Sequence, residues 1–120
     1  YNIQITSGFK FLRTKVQSDG GIYGKGLASY NTAISLMAFL QQNDPIDKSI
    51  IQSARRFLVN QQSDFDVKGK RDNVFDGGVG YGSTWAHSDL SNTHLALEAL
   101  YYAKKTIGSK EEDITKLSQY

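Results

Sequence analysis

Asp19-Gly20-Gly21-Ile22-Tyr23-Gly24, then a short polar bridge, then Tyr30-Asn31-Thr32-Ala33-Ile34-Ser35-Leu36-Met37-Ala38-Phe39-Leu40 is a pattern that this chain states twice. It returns as Asp76-Gly77-Gly78-Val79-Gly80-Tyr81-Gly82 followed by Ser91-Asn92-Thr93-His94-Leu95-Ala96-Leu97-Glu98-Ala99-Leu100-Tyr101. The glycine pairs lie 57 positions apart (20 to 77) and the Asn-Thr pairs 61 apart (31 to 92), so the copies differ by a four-residue extension of the bridge. A repeated supersecondary unit decides architecture before any single residue is interpreted.

Apolar periodicity around the two copies predicts helices. From Asn2 to Gln17, Ile5, Phe9, Leu12 and Val16 form one stripe on an otherwise polar helix. Asn31 to Gln42 is apolar nearly all round, which predicts burial on most sides. Pro45 stops that helix and suits the first turn of the next. From Ile46 to Gln61 a stripe of Ile46, Ile50, Ala54, Phe57 and Leu58 returns, with Lys48, Arg55 and Arg56 turned to water. Ser91 to Lys105 is again apolar on several faces and ends at Gly108, with Lys104 and Lys105 complementing its C-terminal dipole. Glu111, Glu112 and Asp113 open a last helix carrying Ile114 and Leu117. The order is amphipathic, buried, amphipathic, buried, amphipathic, which predicts an outer and an inner helix layer and no sheet.

Composition narrows the classes. Hydrophobic residues make up 39%, and seven Tyr and six Phe supply bulk for a core. Basic and acidic side chains nearly cancel at 14 against 12, and no basic run is long enough to follow a nucleic acid. No apolar stretch approaches the roughly 20 residues of a membrane span. There is no Cys, hence no disulfide frame and no thiolate zinc site, and the compartment stays open. Ser63 to Val74 is polar and predicts a surface loop. The chain opens at Tyr1 without Met and stops at Tyr120 inside a predicted helix, so the expectation is a piece of a longer protein.

An amphipathic helix, an Asp-Gly-Gly-aromatic loop and an Asn-Thr pair before an Ala- and Leu-rich helix resemble the repeat shared by squalene and hopene cyclases and by protein prenyltransferase beta subunits. The resemblance covers about residues 1–105. It implies an all-α fold: helical hairpins of an α/α toroid (a partial α/α barrel), outer amphipathic helices alternating with inner buried ones around a cavity for isoprenoid chains. Residues 1–120 would then form one partial domain, with repeat 1 at about 1–43, repeat 2 at about 45–106 and a third repeat starting at about 110–120. The remainder of a parent chain, or self-association, would cover Ile34, Met37, Leu95 and Leu97 on the inner helices.

The family's chemistry is not carried over with its architecture. In the cyclases the proton donor lies in Asp-x-Asp-Asp-Thr-Ala, and the matching stretch is Asp89-Leu90-Ser91-Asn92-Thr93-His94. Asp89 and Thr93 match, but Ser91 replaces the catalytic aspartate, and a hydroxyl cannot act as the strong acid that protonates an alkene. The prenyltransferase zinc site needs Asp, Cys and His; its histidine falls on Asn92, and Cys is missing altogether. No cofactor or metal is implied.

What remains are individual candidates. His87, Asp89 and His94 form one group of ligand-like residues, with Asp89 and His94 the catalytic candidates; the plainer reading makes Asp89 a helix cap and packs His94 at the helix start. Tyr30, Tyr81 and Trp85 are candidates for lining an apolar ligand cavity, against a role as wedges between helices. Gly20, Gly21, Asn31, Gly77, Gly78 and Asn92 are the repeat joints, with each asparagine expected to cap the helix that it opens. Two functions are open: accommodation of an isoprenoid or other apolar chain, and a non-catalytic helical scaffold for protein or glycan contact.

Overall fold

The structure, a computed structural model, describes residues 2–63, 67–70, 77–82 and 89–108. Among these residues it contains four α-helices: α1 (Asn2–Arg13), α2 (Ala28–Gln42), α3 (Lys48–Asn60) and α4 (Leu90–Ile107). A 3-10 turn, Pro45–Asp47, leads into α3. The all-α expectation holds, and no helix is long and apolar enough to cross a membrane among the described residues. The helix expected from Glu111, with the third repeat at about 110–120, lies outside them.

Local signals explain most helix ends. Asn43, with φ of 51°, ends α2 in the left-handed conformation and donates its N–H to Phe39 O at 2.8 Å. Asp44 then takes the Ile46 N–H on Oδ1 at 3.0 Å, with Pro45 at the first position of the new turn. Asp89 opens α4 by accepting the Asn92 N–H at 2.9 Å. The first helix ends at Arg13, short of the expected Gln17, because Val16 leaves it to bridge Ile22 in antiparallel fashion.

The core forms where α2 packs against both α3 and α4, and α3 also meets α4. Ile22, Leu36, Phe39, Ile51 and Leu58 are almost completely buried there. Each such side chain contributes roughly 1.5–3 kcal/mol relative to exposure. On α4 the buried residues include Ala96, Ala99 and Ala103, small side chains at helical spacing that let two backbones come close. The helix α1 buries no residue fully; Phe9, Leu12 and the following Val16 rest on the edge of the core. Phe9 meets Phe39 of α2 at 5.2 Å between ring centroids. Ile46, expected on a buried stripe, is exposed because the 3-10 turn breaks the helical register ahead of α3.

Two polar links tie distant parts together. Arg13, the last residue of α1, donates from Nε and Nη2 to the two carboxylate oxygens of Asp47 at 2.7 and 2.8 Å. That hydrogen bond, with the charge of Asp47 adding to it, holds the guanidinium proton more firmly than usual. Arg55 is buried rather than turned to water, and its Nη1 donates to Gly108 O at 2.8 Å. The carbonyl end of α4 is where a cation is favoured.

Candidate functional site

The two joints share two backbone hydrogen bonds at equivalent positions. In the first, Gln17 N donates to Gly21 O and Gly20 N to Gln17 O, at 2.8 and 3.0 Å. In the second, Ser63 N donates to Gly78 O and Gly77 N to Ser63 O, both at 2.8 Å. Gly20 and Gly77 both have positive φ, 90° and 81°. The bridges Val16↔Ile22 and Gln62↔Val79 also correspond. Thus these two bonds are kept at the base of the longer second loop.

Threonine, not asparagine, locks each joint to its helix. Thr32 Oγ1 accepts the Ile22 N–H at 2.9 Å, and Thr93 Oγ1 accepts the Val79 N–H at 2.8 Å. The helices start at Ala28 and Leu90, before Asn31 and Asn92, so neither amide is a cap. Asn31 Nδ2 donates to Gly26 O at 3.2 Å, and the buried Asn92 donates to Asp89 Oδ2 at 2.7 Å. The signal for threonine was present in the repeated Asn-Thr pair, since a β-branched hydroxyl inside a helix is well placed to take a bond from packed backbone. Replacing Thr32 by Val should leave the Ile22 N–H buried without a partner, lowering stability by about 1–3 kcal/mol in urea unfolding. Thr32→Ser, which keeps the hydroxyl, should recover part of that loss.

Around the first glycine pair, Asp19 Oδ1 takes the Gly21 N–H at 2.9 Å and Oδ2 takes the Tyr23 hydroxyl at 2.6 Å. This bond, then partial burial and the Asp19 charge, raises the Tyr23 phenol above its ordinary pKa. The Tyr23 ring meets Phe57 of α3 at 5.9 Å. Aspartate, glycines and tyrosine thus form a wedge against α3. The corresponding Asp76 lies outside the described residues.

The catalytic candidates are otherwise engaged. Both Asp89 carboxylate oxygens accept bonds from Asn92, one from backbone and one from side chain. His94 is turned outward, its side chain 76% exposed, and pairs with Glu98 one turn on at 3.7 Å. No group of three or more His, Cys, Asp or Glu among the described residues could hold a metal ion. His87 and Trp85 lie outside the described residues.

A groove opens between the C-terminal halves of α2 and α4. Its volume is about 320 Å³, lined by Met37, Leu40 and Gln41 from α2 and Tyr102 and Thr106 from α4. Gln41 and Tyr102 hold equivalent repeat positions (41 to 102), so it lies on a face common to both helices. Tyr30 and Tyr81 do not line it. Tyr30 is in the first turn of α2, and Tyr81 lends its carbonyl to the Ser29 N–H of that turn at 3.2 Å. Both rings are partly exposed.

Compared with protein-family models, curated proteins and solved structures, the chain matches none of them. The functional reading therefore rests on this geometry.

Proposed function

We propose that the chain is a terpenoid-cyclase-like repeat unit of α/α-toroid type that holds an apolar chain, an isoprenoid segment or similar lipid tail, without acting on it through the residues described. The observation that carries this is the groove between α2 and α4. Met37 and Leu40 supply apolar walls, Tyr102 an aromatic face, and Gln41 and Thr106 polar groups that could meet a terminal hydroxyl. Its volume is at the small end of ligand sites, which suits a short apolar segment rather than a folded triterpene. The hydrogen bonds shared by the two joints support the toroid arrangement, because they give α2 and α4 a similar attachment to the segments before them. The engaged carboxylate of Asp89 argues against proton donation, since a general acid must present its proton to substrate.

The test is thermal unfolding in the presence of farnesol and, separately, a straight-chain alcohol of equal length. A ligand bound only by the folded chain raises its stability by about 2.7 kcal/mol at 100 times Kd. The expected result is a concentration-dependent rise in Tm that Tyr102→Asp removes, while the ligand-free Tm of that variant changes little. A rise that persists in Tyr102→Asp, or no rise with either alcohol, would sink the reading. The exposed apolar stripe of Leu90, Leu97 and Tyr101 on α4 favours a second reading, a scaffold for protein contact.

A further inference from the structure

The repeat makes α2 and α4 comparable position by position, and one difference between them is large. Leu36 and Leu40 of α2 are 0% and 5% exposed. Their equivalents on α4, Leu97 and Tyr101 (36 to 97 and 40 to 101), are 48% and 61% exposed. The same holds two turns earlier, where Ser29 is buried and its equivalent Leu90 is exposed. Leu40 shares the groove with Tyr102 and Thr106, so this side of α2 is the one turned to α4. The same side of α4 carries Leu90, Leu97 and Tyr101 and meets no further helix among the described residues.

The buried side of α4, which packs against α2 and α3, is Asn92, Ala96, Ala99, Leu100 and Ala103. The equivalent set on α2 is Asn31, Ser35, Ala38, Phe39 and Gln42. Ser35 and Phe39 are already buried, but Asn31 and Ala38 are only half-buried and Gln42 is exposed. Each chain therefore carries an apolar ridge on α4 that no described helix covers and a partly covered, small-residue face on α2. We propose that a second copy of this chain docks head-to-tail, its α2 face of Asn31, Ala38 and Gln42 seated on Leu90, Leu97 and Tyr101 of the first. The contact continues the internal repeat from one chain into the next. Such an interface is heterologous and leads to a ring or to an open stack. It deepens the scaffold reading and is independent of ligand binding in the groove, which uses another face of both helices.

Absence of native cysteine makes a direct test clean. Ala38→Cys and Leu97→Cys are made in separate chains, mixed and mildly oxidised. A disulfide-linked dimer formed in the mixture, and by neither variant alone, is the expected result. Dimer from Leu97→Cys alone would mean that α4 pairs with α4, which overturns the head-to-tail arrangement. Sedimentation equilibrium of the unmodified chain should show concentration-dependent association that Leu97→Glu weakens at least about ten-fold, with helical circular dichroism unchanged. A chain that stays monomeric at millimolar concentration would overturn the proposal, even if it binds farnesol.

Discussion

Gly20→Ala is expected to lower the stability of the fold by about 2–4 kcal/mol, combining backbone strain with overpacking. Gly20 has φ of 90°, where an L side chain is strained wherever it points. Added space would not relieve the substitution, because a Cβ there would sit 2.6 Å from the Ser53 carbonyl oxygen. Ser53 belongs to α3, so the clash is with helix backbone that cannot swing aside as a flexible side chain does. The joint must either open or push α3 away from the core that Ile51, Ala54 and Leu58 form. Urea unfolding measures the loss, with Gly26→Ala as the comparison. A Cβ at Gly26 meets nothing within 4 Å. That variant should stay within about 0.5 kcal/mol of the parent. Equal effects at the two glycines would refute the account of the joint as a close-packed contact.

Arg13→Ala should lower Tm by about 10 °C or more, whereas Asp47→Ala should do markedly less. The asymmetry follows from where the two charges sit. Asp47 is 1% exposed, while the Arg13 side chain is 32% exposed. Removing the arginine strands a carboxylate in the interior; removing the aspartate leaves a guanidinium that can turn to water. Arg13→Lys should rescue only partly, because an ammonium cannot make the two parallel bonds of the guanidinium fork. Arg13→Met combined with Asp47→Leu should recover much of the loss, as apolar replacement of a buried pair commonly does. Thermal melts of these four variants check the scheme. Single substitutions with equal effects would show that the charge pair does not anchor α1.

The elements legible in the sequence are those governed by near neighbours. The apolar character of Asn31 to Gln42 predicted α2 to its last residue, and Pro45 marked the next turn. Asp89 could be recognised as the cap of α4 from its place just before the apolar segment. Other readings failed for physical reasons that such patterns do not contain. Val16 continued the apolar stripe of α1, yet its backbone is drawn out to bridge Ile22 across the glycine turn. Arg55 matched an exposed position, but a carbonyl 53 residues away draws its charge inward. The joint is legible in the repeat, whereas the role of its threonine is hidden by the asparagine beside it, the commoner capping residue. A ligand cavity is expected around Tyr30, Tyr81 and Trp85, but the lining of the observed groove is not legible, since Met37 and Tyr102 come together only when two helices pack.

By itself the sequence determined the repeat, the succession of helices and the positions where the backbone must turn, because helix periodicity, caps and glycine turns depend on residues within a few places of one another. The tertiary structure alone decided that Arg13 meets Asp47, that a groove of mixed lining lies at the far ends of α2 and α4, and that Leu97 is bare where its counterpart Leu36 is buried. Two leucines in matching positions of one motif carry the same local information. Their burial differs because a side chain leaves water only when another element covers it, and that depends on what the rest of the chain places beside it.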